Sequence, residues 1–430
     1  MGSPSPSEPL LGKPSPSMQG SHSEATSSAR VSRAERQKIR SKLRRRATQR
    51  QAQGVEDSQR HSRVKGVAKR RRAVGTPLKV DVGVGEASTI GGHGVPADSV
   101  PFDVLVGLAS RVSEHGFTGK RLTTVENQKA PLTKEEALKL GFRYVEWNGI
   151  DCVPLLDKQD RVFAVLAGSP KDQLAWAKVN KAVTDAFDEV RMKYKFNQKQ
   201  VDHRRGNFPA VSAGISYGGG QTRVQNLTHP ADNQLLIDGL LANKAVQRVA
   251  KFGDAAMRLF APRLHTYYEE TMQKLISNSP IKLTRNFDDN AFASAAFNLG
   301  PRVSTCEHTD HLNIPAGWCA IIAMGDFDPR ESGHVILWDL ELIVEFPPGA
   351  TILIPSAMLR HSNTMVRPHE RRYSFTQYSA GGLFRWVECG FKPQKVFMGT
   401  GNRYELTGEE RWAQGVGLFS TWQELQGDMI

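Results

Sequence analysis

Apolar and polar positions change rhythm twice along this chain. From Phe102 onward apolar residues gather in short runs, FRYVEW at 142–147, DCVPLL at 151–156 and RVFAVLAG at 161–168. Asn-Gly and Lys-Gln-Asp separate them, which is the turn chemistry of hairpins. From Pro170 to about Lys199 the spacing becomes helical, with Leu174, Val179, Val183, Phe187, Val190 and Tyr194 on one face. SAGISYGGGQTR at 212–223 reads as a glycine loop. Residues 233–277 predict a long helical stretch broken or kinked at Pro262, whose ring lacks an amide donor. After Asn290 the period shortens again. FASAAFNL, RVSTCEHTD, GWCAIIAMGDF, HVILWDL, LIVEFP, ATILIP, RHSNTMV and RRYSFTQYS are eight short β-rich runs with Gly, Pro and Asp between them. Such spacing predicts a sandwich or jelly roll. The expected class is α+β, a jelly-roll core flanked by helices.

Composition changes the picture mainly at the amino-terminal end. Residues 1–28 are rich in Ser, Pro and Gly and too poor in apolar groups to offset the entropy of ordering. Between Arg30 and Arg72 stand 17 Lys and Arg against three acids, a local net of +14 in a chain whose total is +13. The rest of the chain is therefore nearly neutral. ARVSRAERQKIRSKLRRRATQRQ has helix formers but no apolar stripe, so it reads as a solvated helix that a polyanion would order. With Lys69–Arg72 it has the layout of a bipartite nuclear import signal or a nucleic-acid arm, against the plainer reading of a charged tail without a dedicated partner. Residues 75–101 read as a Gly-rich linker. The expected organisation is a disordered polybasic tail and linker over 1–101, an α/β subdomain over 102–205, the core over 206–392 and an extension over 393–430. The 39% hydrophobic content permits a real core. No apolar run approaches the roughly 20 residues of a membrane span, and the first residues lack the layout of a secretion signal. A soluble, nuclear protein is the expectation. The four cysteines are scattered without a CxxC pair, which points away from a disulfide framework or a thiolate zinc site.

Chemistry concentrates in CEHTDHLN, residues 306–313. In a strand, His308 and Asp310 would share a face while His311 points away. His361 opens a later predicted strand and offers a third ligand. Two imidazoles and one carboxylate form the facial triad that suits non-haem Fe(II) and leaves positions open. Such a centre draws electrons for dioxygen from a co-substrate, and the distal carboxylate of 2-oxoglutarate needs a cation. Arg372, 11 residues after His361, shares a strand face with Ser374 and supplies a guanidinium with an assisting hydroxyl. Arg371 falls on the opposite face. The glycine loop lacks the ending of a P-loop; as a turn lining a substrate mouth it offers Ser216, Gly219 and Gln221.

The blocks FNLGPRVSTCEHTDHLNIPAGWCAII, GHVILWDLELIVEFPPGATILIPSAMLRHSN and RRYSFTQYSAGGLFRW, with RRGNFPAVSAGISYGGGQTRVQNL upstream, resemble the fungal branch of the TET/JBP dioxygenases. Members of that family oxidise methylated bases in DNA. The resemblance spans roughly 140–392 and implies a double-stranded β-helix core, Fe(II) on His308, Asp310 and His361, and 2-oxoglutarate and dioxygen as co-substrates. It also implies 2-oxoglutarate contacts from Arg372, Ser374, Arg302 and Asn298, with Asn313 facing the target base and Tyr378 stacking on it after the base is flipped from the duplex. The expected reaction converts 5-methylcytosine to its hydroxymethyl and higher oxidation states, or demethylates N6-methyladenine. Action on RNA, repair lesions or protein, and an inert transposon-associated DNA-binding protein, are the competing readings. The cysteine-rich zinc region of mammalian members has no counterpart here.

Overall fold

The rapid alternation after Asn290 folds into strands of two sheets. The computed structural model describes residues 75–83, 99–122 and 130–429. The readings for the tail, residues 1–74, lie outside them. In chain order the strands are β1 (Leu78–Lys79), β2 (Asp81–Gly83), β3 (Ser99–Pro101), β4 (Arg143–Val145), β5 (Val153–Leu156), β6 (Val162–Gly168), β7 (Asp202–His203), β8 (Gly206–Asn207) and β9 (Ala210–Ser216). They continue as β10 (Gln225–Asn226), β11 (Ser294–Asn298), β12 (Cys319–Asp326), β13 (Val335–Leu337), β14 (Leu342–Val344), β15 (Thr351–Ile354), β16 (His361–Asn363) and β17 (Arg371–Tyr378). The large sheet has the order β1-β5-β6-β15-β12-β17-β11-β9-β10 and the small one β16-β13-β14-β4. β2 with β3 and β7 with β8 form separate pairs. Strands from 102–205 and from 206–392 thus share sheets.

Alternation assigns the faces. On β17, Tyr373, Phe375 and Gln377 point toward the helices: Tyr373 donates to Asp188 of the helix Gln173–Lys193 at 2.5 Å, and Gln377 to the Ala250 carbonyl of the helix Lys244–Phe260 at 3.0 Å. Arg372, Ser374, Thr376 and Tyr378 take the other face. In the small sheet Val335, Leu337, Leu342 and Val344 join the main core, while Ile336 and Ile343 pack in a satellite cluster with Ala137 of the helix Lys134–Lys139. Each sheet is therefore covered outside by helix and turns its other face inward. Phe346, just after β14, lies 5.7 Å from the Arg372 guanidinium, which joins the two sheets across the interior.

After β11 and β12 in the large sheet the chain crosses to the small sheet for β13 and β14, and then alternates with β15 large, β16 small and β17 large. Between β11 and β12 runs an irregular strap. Pro301–Val303 bonds to Arg372 of β17, and His308 bonds to His361 of β16. The run RVSTCEHTD is therefore not the regular strand its pattern predicts. It pairs only through isolated bridges, because it crosses from one sheet to the other.

Other expectations are corrected in the same way. The helical stretch after 231 is three helices, Ala231–Ala242, Lys244–Phe260 and Pro262–Ser277, with a break at Asn243 besides the one at Pro262. Asn243 accepts from the amides of Ala245 and Val246 and so caps the second helix. Leu174 is exposed and Trp176 takes its expected place on the buried face of Gln173–Lys193. SAGIS, read as the start of a loop, is the end of β9. The ends of the 75–101 linker are β1, β2 and β3. Trp412 of the carboxy-terminal helix Gly408–Val416 is buried and donates to the Leu105 carbonyl at 2.9 Å, so 393–430 completes the core. No described helix is long and apolar enough to cross a membrane.

Candidate metal centre

His361 faces inward because β16 pairs with β13 in a register that puts it opposite Leu337. His308 reaches the same side through a two-way bridge: its amide donates to the His361 carbonyl at 3.1 Å and the His361 amide returns the bond at 2.9 Å. Opposed residues of an antiparallel bridge place their side chains together, and the two imidazole centroids are 4.3 Å apart. Arg360 and Glu307, the residues just before each histidine, form an ion pair at 2.8 Å that braces the two segments. Asp310 is fixed by its amide bond to the Ser356 carbonyl at 2.8 Å. Its carboxylate lies 3.9 Å from His361 Nε2. The ligand atoms of His308, Asp310 and His361 all lie within 4.8 Å of one another. His311 is outside this group.

Hydrogen bonding sets the donor atoms. His308 Nδ1 is 2.8 Å from the Cys306 carbonyl and His361 Nδ1 is 2.9 Å from the Leu359 carbonyl. Carbonyls only accept, so each Nδ1 carries the proton and each Nε2 keeps a lone pair. Burial, and then the neighbouring His361, hold His308 well below the usual imidazole range; burial also lowers His361. Burial alone would raise Asp310, but His308, His361, Arg205 and Arg204 outweigh it and keep the carboxyl well below its ordinary value. Two neutral imidazoles and a carboxylate are the protonation states that a divalent cation requires. The donor set fits iron.

Arg372 is fully buried, and its guanidinium makes one protein hydrogen bond, from Nη1 to the Val303 carbonyl at 3.0 Å. Nε and Nη2 have no partner. Burial without a carboxylate pushes it down to about 9. Beside it on the inner face, Ser374 Oγ accepts from Asn298 Nδ2 at 2.7 Å, which leaves the serine proton for another acceptor; Asn298 Oδ1 is itself unpartnered. Gly333, at φ +69°, passes so close that a Cβ there would meet Arg372 Cδ at 2.9 Å. These donors suit an anion of carboxylate size.

The remaining predicted residues are placed as follows. Arg302 pairs with Arg372 through a backbone bridge, but its side chain is exposed and not buried beside the guanidinium. Asn313 is buried, its amide nitrogen within reach of Cys319 Sγ at 3.3 Å and Ser356 Oγ at 3.4 Å. Tyr378 shares the inner face with Arg372, Ser374 and Thr376; burial raises its phenol, with Ser212, Arg205, Asp310 and Ser294 also acting on it. Ser216 ends β9 on the inward face. Gly219 is exposed at φ +57° in a turn closed by the Gln221 amide on the Gly218 carbonyl at 3.0 Å.

Sequence reasoning passed over Arg204 and Arg205. They form the turn of the β7–β8 hairpin, where Arg204 Nη1 donates to the Thr309 carbonyl at 2.8 Å and Nη2 approaches Asp310 Oδ1 at 3.4 Å. Two-residue strands carry no periodic signal; the Arg-Arg-Gly turn between polar residues was the one available cue. Ser212 and Ser294, which act on the Tyr378 phenol, were hidden by the glycine-loop reading and by the apolar run around 294.

No protein-family model matches the sequence, and no curated protein matches it. Among solved structures the chain is similar to NgTET1 in complex with 5mC DNA, at 15% identity over 56% of this chain and 83% of that chain, TM-score 0.33. It is also similar to an oxidoreductase of the 2OG-Fe(II) oxygenase family from Burkholderia pseudomallei, at 14% identity over 55% of this chain and 95% of that chain, TM-score 0.28. Likenesses this weak fix neither a fold nor a family for this chain.

Proposed function

We propose that the chain is an Fe(II)- and 2-oxoglutarate-dependent dioxygenase that oxidises the methyl group of a modified base in DNA, and that its alternating sheets form a double-stranded β-helix. The observation that carries the reading is the fully buried Arg372 guanidinium, unpartnered at Nε and Nη2, on the inward face of the large sheet, taken together with the His308, Asp310 and His361 cluster. A triad alone would fit several dications. The anion cradle selects a carboxylate-bearing co-substrate.

His308, Asp310 and His361 would hold Fe(II), and Arg372 with Ser374 would hold the distal carboxylate of 2-oxoglutarate. Bound together with dioxygen, these groups supply a two-electron oxidation in which 2-oxoglutarate becomes succinate and carbon dioxide and one oxygen atom enters a substrate C–H bond. The protein's own part is placement. Asn298 turns the Ser374 proton outward, Gly333 leaves room for the Arg372 stem, and the two backbone carbonyls fix the imidazoles. Ser212, Ser294, Thr376 and Tyr378 give the inner face hydroxyls that suit the polar edge of a base, with Asn313 behind them and Ser216, Gly219 and Gln221 toward the β9–β10 turn. The resemblance of the core blocks to base-oxidising dioxygenases and the polybasic segment at 30–72 support DNA as the partner and the nucleus as the site of action.

Duplexes carrying 5-methylcytosine or N6-methyladenine, incubated with iron and 2-oxoglutarate and digested for nucleoside mass spectrometry, test this. The wild type should consume one of the two bases, and a His308→Ala, Asp310→Ala variant neither. Unchanged methylated nucleosides with an iron-loaded wild type would refute it, and succinate released with a peptide or RNA instead would move the substrate.

A further inference from the structure

Leu312 is 57% exposed in the turn between Asp310 and Asn313. A single exposed leucine is ordinary on a protein surface; the company of this one is not. The turn is held on three sides: the Asn313 amide donates to the Asp310 carbonyl at 2.8 Å, the Gly119 amide to the His311 carbonyl at 2.7 Å, and the Gly381 amide to the Leu312 carbonyl at 2.8 Å. The isobutyl group is thus presented on fixed backbone two residues from a metal-cluster carboxylate.

Three arginines gather at the same turn. Arg204 bonds to the Thr309 carbonyl, Arg205 accepts on its own carbonyl from the Cys306 amide at 2.9 Å, and Arg121 follows two residues after Gly119, which packs on His311. Arg204 and Arg121 both act on His311, and Arg204 and Arg205 on Asp310. Against these three cations stands Asp310, which a dication would claim. Neither Arg121 nor Arg205 forms an ion pair with a described carboxylate. Arg204 is engaged by Thr309 and Asp310. That leaves Arg121 and Arg205, the latter 5.9 Å from the Phe208 ring, as cations without a described carboxylate partner at a turn with an apolar tip. The arrangement is complementary to stacked bases bordered by phosphates.

We propose that Leu312 is a wedge that enters the stack of a nucleic-acid duplex where the target base leaves it, while Arg121 and Arg205 hold the flanking phosphates. The proposal rests on the base-oxidation reading above and narrows its substrate to double-stranded DNA, since a single strand has no gap to fill. The leucine fills the space of the extruded base and keeps it from returning; the arginines fix the backbone without reading sequence.

The test uses the full chain loaded with Mn(II) in place of iron and a methylated duplex with 2-aminopurine beside the methylated base. The wild type should raise the fluorescence on binding, and Leu312→Ala should lose most of that rise while duplex affinity changes by less than about threefold. Arg121→Ser with Arg205→Ser should weaken duplex binding about tenfold or more and flatten its salt dependence by about two phosphate contacts. With iron, Leu312→Ala should slow oxidation of duplex about tenfold and leave a methylated single strand at the wild-type rate. A wild type that leaves the 2-aminopurine stacked, or a Leu312→Ala protein that opens the duplex as well as wild type, overturns the wedge. An iron-loaded wild type that opens the duplex but oxidises neither strand form supports the wedge and overturns the oxidation reading instead.

Discussion

A guanidinium buried without a carboxylate is destabilising unless an anion completes it. Arg372 is in that position, with one backbone bond and a titration lowered to about 9 by burial. Replacing it with an apolar side chain of similar length removes an uncompensated charge from the fold and the anchor from the site. Arg372→Met should therefore melt no lower than wild type, yet lose about 3 kcal/mol, or roughly 100-fold, in 2-oxoglutarate affinity. The check is thermal melting with and without 2-oxoglutarate: the ligand should raise the wild-type midpoint and leave the variant unmoved. At this scale strand alternation is legible in the sequence. It separates Arg372 and Ser374 from Arg371, whose side chain bonds to Asp188 on the outer face. The same rule applied to His308 and Asp310 rests on a strand that is absent; backbone bonds to His361 and Ser356 bring these two side chains together. Arg204 and Leu312 were illegible, because a two-residue turn and a single exposed leucine carry no pattern.

Helix against sheet is what holds the large sheet in place. Phe187, on the helix Gln173–Lys193, packs edge-on against Phe297 of β11 at 5.7 Å and Tyr373 of β17 at 6.3 Å. All three are fully buried. Phe187→Ala should cost about 3–5 kcal/mol in urea unfolding, because the cavity cannot collapse between two sheet strands and a helix. It touches only the outward face, so metal affinity measured well below the melting point should stay within about threefold of wild type. A large loss of metal binding in a folded Phe187→Ala protein would show that the two faces are not independent. The helix itself was legible from its spacing. The break at Asn243 was not, since Ala-Asn-Lys interrupts no apolar period and is betrayed only by the capping side chain. β1, β2 and β3 were lost in a glycine-rich stretch for the opposite reason: strands of two or three residues are set by their partners, not by local propensity.

Across the whole molecule, eight short runs spaced by turn residues announced two sheets, and seven of the runs carry strands. The eighth is the strap at 302–308, which crosses between the sheets at the edge where the triad forms. Sequence alone could not place β5 and β6 in the large sheet or seat Trp412 against Leu105, because both are long-range pairings. What the assembly achieves is convergence: two histidines from paired segments of one sheet edge and a carboxylate from the following turn. The direct test is an anaerobic calorimetric titration of the metal-free chain with Fe(II). The account predicts one equivalent per chain for wild type and binding at least about 100-fold weaker for His361→Ala, a loss beyond that seen for groups that only orient a ligand. Equal affinity and stoichiometry in the two proteins would contradict it.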